Sequence, residues 1–150
     1  NSKYTQKKNC MKDNVFIDTN IWVYAHITDD QTKHALAHDL LEKKLVGKHV
    51  IISAQILSEF YAAMTKNKIA HAKVSKNILE IVQTVSISPL KLLNIESALR
   101  LKEKYKYSWW DSLILASSLE AECETLYSED MQNEQVIEDS LVIRNPFILK

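Results

Sequence analysis

The chain has 150 residues, 46% of them hydrophobic and 25% charged, which suits one packed domain. Lysine plus arginine and aspartate plus glutamate both number 19, a formal net charge of zero. That balance excludes a protein that grips nucleic acid through bulk positive charge, because that mode needs a basic face to displace counterions.

Residues 1–13 read as a polar N-terminal arm carrying Lys3, Lys7, Lys8 and Lys12, with Met11 as a candidate native start. The arm lacks the apolar core of a signal peptide. Residues 14–150 read as a single domain, since only Gly47, Pro89 and Pro146 punctuate the chain. Within it, Val15-Phe16-Ile17 is a short apolar run that stops at Asp18, the signature of a buried strand. A helix is predicted over Thr19–Tyr24, capped by Asp18 or Thr19. From Thr32 to Val46, leucines and alanines recur at helical spacing until Gly47 ends the run. Val50-Ile51-Ile52 is a second buried strand closed by Ser53. The next helix carries Ile56, Leu57, Phe60, Tyr61 and Met64 on its apolar face. A further helix covers Ala72–Val82, with Ile78, Leu79 and Val82 as its apolar positions. Val85–Ile87 is a short strand, and Ile95–Tyr105 is helical. Ser108 can cap a helix that runs to about Ala121. Thr125-Leu126-Tyr127 and Val142-Ile143 complete the strands.

Short apolar strands alternating with helices predict an α/β fold, three layers α/β/α around a mainly parallel, twisted sheet. In such sheets, ligands bind beyond the carboxyl ends of the strands. Asp18 directly follows the first strand, and Asp130 lies just beyond the Thr125–Tyr127 strand. Glu59 lies early in the helix after the second strand, and Asp111 in the first turn of the helix before Thr125. Asp111 heads a column formed by Ile114, Leu115 and Leu119, with no lysine or arginine one helical turn away. A carboxylate placed there is partly buried and needs a cation or a partner.

Each acid alone has a plain structural explanation: a cap at Asp18, a solvated helix acid at Glu59, a dipole-favoured acid at Asp111 and a loop residue at Asp130. One shared cation site accounts for all of them together. Carboxylates select hard ions such as Mg²⁺ or Mn²⁺. Such ions promote phosphodiester hydrolysis.

The ordered set Phe16-Ile17-Asp18-Thr19-Asn20, Ser58-Glu59-Phe60, Trp110-Asp111-Ser112-Leu113-Ile114 and Leu126-Tyr127-Ser128-Glu129-Asp130-Met131 resembles the PIN-domain nucleases, especially the VapC-type toxins of toxin–antitoxin pairs. The terminal Ile143-Arg144-Asn145-Pro146-Phe147 looks like the family's closing strand, so the resemblance covers about residues 14–148. It implies a PIN-like fold, a Mg²⁺- or Mn²⁺-dependent endoribonuclease acting on single-stranded RNA, a cytoplasmic homodimer, and an antitoxin that covers the pocket. By the same resemblance, Asp18 and Asp111 are the main metal ligands, and Glu59 and Asp130 complete the pocket. Thr19, Asn20 and Ser128 would orient those carboxylates through hydrogen bonds. The family often has a glycine after the last acid. Here the run is Met131-Gln132-Asn133-Glu134-Gln135, and Asn133 is the candidate for the left-handed turn residue.

The alternative within the family is a PIN nuclease in RNA processing without a toxin role, and two other functions compete. A catalytically idle PIN-fold binding module gives no reason to retain the acids. A phosphatase with an Asp nucleophile would place a second Asp where this chain has Asn20. His34 and His38 lie four apart but lack the HExxH pattern, so they read as exposed helix histidines. Cys10 and Cys123 fit no zinc spacing. No apolar run approaches membrane length. Trp109 and Trp110 are expected in the core, with RNA-base stacking as the alternative. Lys104, Tyr105 and Lys106 are expected to form a solvated helix end, with RNA contact as the alternative.

Overall fold

The computed structural model describes residues 13–148. The expected N-terminal arm, with its lysines and Cys10, therefore lies almost wholly outside the described residues. The elements run β1 (Asn14–Ile17), α1 (Thr19–His26), α2 (Gln31–Asp39), β2 (His49–Ser53), α3 (Ala54–Lys66) and α4 (His71–Thr84), followed by β3 (Ser86–Ser88), α5 (Leu92–Tyr105), α6 (Trp109–Glu120), β4 (Thr125–Tyr127), β5 (Val136–Ile137) and β6 (Leu141–Arg144). One sheet has the order β3-β2-β1-β4-β6-β5. All its neighbours are parallel except the β5–β6 pair at one edge. Helices α1 to α4 pack among themselves and α5 packs on α6, which gives the expected three-layer α/β/α architecture.

The central strands explain this arrangement. Val15, Phe16 and Ile17 are all buried, as are Ile51 and Ile52 beside them. A strand covered on both faces must be apolar without alternation. Phe60 and Met64 from α3 and Ile114 and Leu115 from α6 fill the layers around that sheet. The chain leaves β1 toward β2 and β3, then returns to place β4 on the other side of β1. The β1/β4 boundary is therefore the point where the strand order reverses, and a crevice opens there at the carboxyl ends.

Three expectations change. The helix read over Thr32–Val46 is α only to Asp39, then widens into a π-turn over Leu40–Lys44. Leu40 and Leu45 are both buried, and an α-helix would point residues five apart about 140° from each other. The wider turn, in which Leu45 N–H donates to the Leu40 carbonyl over 3.0 Å, keeps both inside. In α4 the buried positions are Val74, Asn77 and Ile81, while Leu79 and Val82 are exposed. Beyond β4, Glu134 is the left-handed residue (φ 68°). Asn133 instead uses its side-chain oxygen to accept from Asn145 N–H over 2.8 Å.

Candidate active site

Asp18, Glu59, Asp111 and Asp130 gather at the β1/β4 crevice because of chain direction. Helices α1 and α3 start where β1 and β2 end. Helix α6 runs back toward the amino end of β4, so its first turn lies at the same carboxyl edge. Asp18 N–H donates to the Tyr127 carbonyl over 2.9 Å, which fixes it against β4. It is the N-cap of α1 and only 3% exposed.

Hydrogen bonds tie the acids into one framework. Asp18 Oδ1 accepts from Thr19 N–H (2.7 Å), and Oδ2 accepts from the Ser128 hydroxyl (2.8 Å). Ser128 Oγ in turn accepts from Asp130 N–H over 3.2 Å. The Thr19 hydroxyl donates to Glu59 Oε2 (2.8 Å), and Asn20 Nδ2 donates to Asp130 Oδ2 (2.9 Å). Thr19, Asn20 and Ser128 thus each hold one of the acids. Ser108 caps α6 by accepting from Asp111 N–H over 3.1 Å.

Sequence reasoning missed Gln55. Its Nε2 donates to Glu59 Oε1 and to the Trp110 carbonyl, both at 3.1 Å, so it joins α3 to the first turn of α6. The signal was the i, i+4 spacing of Gln55 and Glu59 on one helix face.

The acids also act on each other electrostatically. Burial pushes the Asp18 carboxyl up to about 7, against the lowering effect of its bonds from Ser128 and Thr19, and the charges of Asp111 and Asp130 push the same way. Burial also raises Asp111, with Asp130 and then Glu59 adding to it. Asp130 is raised by burial, then by Glu129 and Glu59, while Lys33 lowers it. Lys33 itself is engaged by Glu129 and lies over the rings of Tyr24 and Phe147. Asp18 therefore carries the cost of burial and of like-charge neighbours with no lysine or arginine side chain against it among the described residues.

Among the described residues, no group of three or more His, Cys, Asp or Glu side chains is arranged to hold a metal ion. The donor set still fits a small hard cation. It is all oxygen, and Mg²⁺ takes one or two carboxylates while keeping much of its own water.

A sequence profile of the PIN domain matches residues 15–136. The chain belongs to the PIN domain family. No curated protein sequence matches it. Solved structures that are similar include VapC20 of Mycobacterium tuberculosis, a sarcin–ricin-loop-cleaving toxin. The identity is 20% and the TM-score 0.64, over 77% of this chain and 89% of that one. VapBC2 from Rickettsia felis, bound to a promoter DNA fragment, aligns at 17% identity and a TM-score of 0.64, over 88% of this chain and 98% of that one. A toxin–antitoxin complex from Klebsiella pneumoniae gives 17% and 0.62, over 88% and 97%. At these identities the likeness is one of fold.

In this PIN domain the remaining candidates separate. His34 is half-buried with Nδ1 against the Tyr24 carbonyl (2.8 Å), and His38 is exposed. Cys123 is free and buried, and burial pushes its thiol up to about 12. Lys104 and Tyr105 both bond Glu138, so the end of α5 is an anchor for the β5–β6 turn. Core packing holds for Trp109 only in part and not for Trp110, which is 60% exposed. Consecutive helical residues point about 100° apart, so one tryptophan turns inward and the next outward. No helix among the described residues is long and apolar enough to cross a membrane.

Proposed function

We propose that this PIN domain is a metal-dependent endoribonuclease that hydrolyses phosphodiester bonds of single-stranded RNA, acting as a toxin restrained by an antitoxin. The reading is carried by the coupled carboxylates at the β1/β4 crevice, with Asp18 buried and no basic side chain set against it among the described residues. Asp18 and Asp111 hold Mg²⁺ or Mn²⁺. Glu59 and Asp130 complete the pocket directly or through water, and Thr19, Asn20 and Ser128 keep the carboxylates aimed. When bound, the ion neutralises charge on the phosphoryl oxygens and acidifies an attacking water. Among the structures of similar fold are a sarcin–ricin-loop-cleaving toxin and toxin–antitoxin complexes, which supports the toxin role.

Purified protein is expected to cleave unstructured RNA with Mg²⁺ or Mn²⁺ and to stop with EDTA. Replacing groups that merely support a metal ligand costs about 10–100-fold, so Asp18→Asn and Asp111→Asn are each expected to lose at least about 100-fold. Wild-type rates in both variants would overturn the assignment. Growth arrest on expression, relieved by Asp18→Asn, tests the toxin role separately.

A further inference from the structure

We propose that Trp110 is the stacking platform for an unpaired RNA base next to the scissile phosphate. The inference rests on the nuclease reading above and deepens it. Trp110 is 60% exposed, whereas Trp22 is buried and Trp109 packs against the core. It directly precedes Asp111 in the first turn of α6. Side chains on a helix lean toward its N-terminus, and that end of α6 lies at the carboxyl edge of the sheet, where the acids gather.

The position is also held firmly. The Trp110 carbonyl accepts from Gln55 Nε2, and the same nitrogen donates to Glu59 Oε1. Ser108 caps the turn and Trp109 anchors it from the inner side. The backbone that carries the indole is thereby tied to the carboxylate framework through Gln55.

Charge explains why the site needs such a platform. The chain has no net positive charge, and the pocket itself is acidic. Lys33, the basic group that acts on Asp130, is engaged by Glu129. Among the described residues the pocket therefore offers few ionic contacts to the RNA backbone, and a stacked base adds affinity that needs no charge. The face of a base is neutral, and stacking tolerates any sequence.

The test uses the full chain and dye-labelled single-stranded RNA oligonucleotides in which each nucleotide in turn is made abasic. Trp110→Ala is expected to raise KM about tenfold, the size of one base–aromatic stack, with a much smaller change in kcat. Trp110→Phe and Trp110→Tyr are expected to restore most of the loss. One abasic position beside the cleaved bond should raise the wild-type KM by a similar factor and erase the difference between wild type and Trp110→Ala. The indole is exposed, so the melting temperature of Trp110→Ala should stay within about 2 °C of wild type.

Wild-type KM in Trp110→Ala, or an equal loss on every abasic oligonucleotide, overturns the platform while leaving the nuclease reading intact. A shift from dimer to monomer with KM unchanged assigns the indole to a protein interface and also overturns it. Absence of RNA cleavage by the wild-type protein removes both readings.

Discussion

At the residue scale, the site is held together by Ser128. Its hydroxyl donates to Asp18 Oδ2 and accepts from Asp130 N–H, so one buried oxygen sets the spacing of two acids. A hydrogen bond to the charged form of a carboxyl lowers its pKa. Ser128→Ala removes that support, so Asp18 should titrate still higher than in the wild type. Metal affinity is expected to fall about 10–100-fold, and the acidic limb of the activity profile is expected to move to higher pH. Ser128→Thr keeps the hydroxyl and is expected to recover most of the affinity. Calorimetric Mn²⁺ titration and a pH–rate profile check both, and an unmoved acidic limb in Ser128→Ala would contradict the role. The four acids were legible in the sequence because each follows an apolar strand or lies in the first two turns of a helix beside one. Thr19 and Asn20, which bond Glu59 and Asp130, followed from the resemblance alone, and Gln55, the other partner of Glu59, did not. Lys33 and Glu129 were not legible, because ninety-six positions separate them in the chain and nothing local marks either one.

At the element scale, α5 and α6 form a pair whose register is fixed by Asn94. This residue is 1% exposed; its Oδ1 accepts from Lys91 N–H and its Nδ2 donates to Glu120 Oε2, both at 2.8 Å. Asn94→Ala removes a helix cap and leaves the Lys91 N–H unpaired, at a cost of about 2 kcal/mol. Thermal melting is expected to drop by roughly 4–8 °C for a chain of this length, with the turnover rate kept well below the transition. A melt within a degree of wild type would show that the pair is held by apolar packing alone. The strands β1, β2, β4 and β6 were legible as apolar runs, and the helices as periodic ones. Strand β5 was not. Its turn uses Glu138 and Asp139, both left-handed, at φ 49° and 59°, where asparagine and glycine are the usual signals. Tertiary contacts hold that turn. The Tyr105 hydroxyl accepts from Glu138 N–H over 2.9 Å, and Lys104 pairs with the Glu138 carboxylate at 2.9 Å. The π-turn after α2 escaped for a similar reason, since the need to bury both Leu40 and Leu45 overrides the α-helical period there.

At the scale of the whole molecule, the proposed metal role would make folding, protonation and metal binding a single equilibrium. The Asp18 carboxyl moves from 3.8 to about 7 on folding. Between those values the folded chain keeps a proton that the unfolded chain has released. The folded state therefore binds more protons, and stability falls as pH rises from about 4 to about 7. Asp111 and Asp130 are raised as well, so they add the same sign. A divalent cation held as proposed would need the deprotonated acids and bind only the folded site, so it would offset this loss by mass action. Metal-free protein is thus expected to melt at a higher temperature at pH 5 than at pH 8, and the gain in melting temperature with Mg²⁺ or Mn²⁺ is expected to be larger at pH 8. Asp18→Asn keeps an acceptor for Thr19 N–H but carries no titrating group. In metal-free protein it should flatten most of the fall between pH 5 and pH 8, and it should lose most of the ion-dependent gain. Differential scanning calorimetry of the two proteins, with EDTA and with each ion, reads all of this directly. An unchanged slope in Asp18→Asn would mean that the pH dependence arises outside the pocket. An ion effect equal at both pH values would mean that the cation binds somewhere other than these carboxylates.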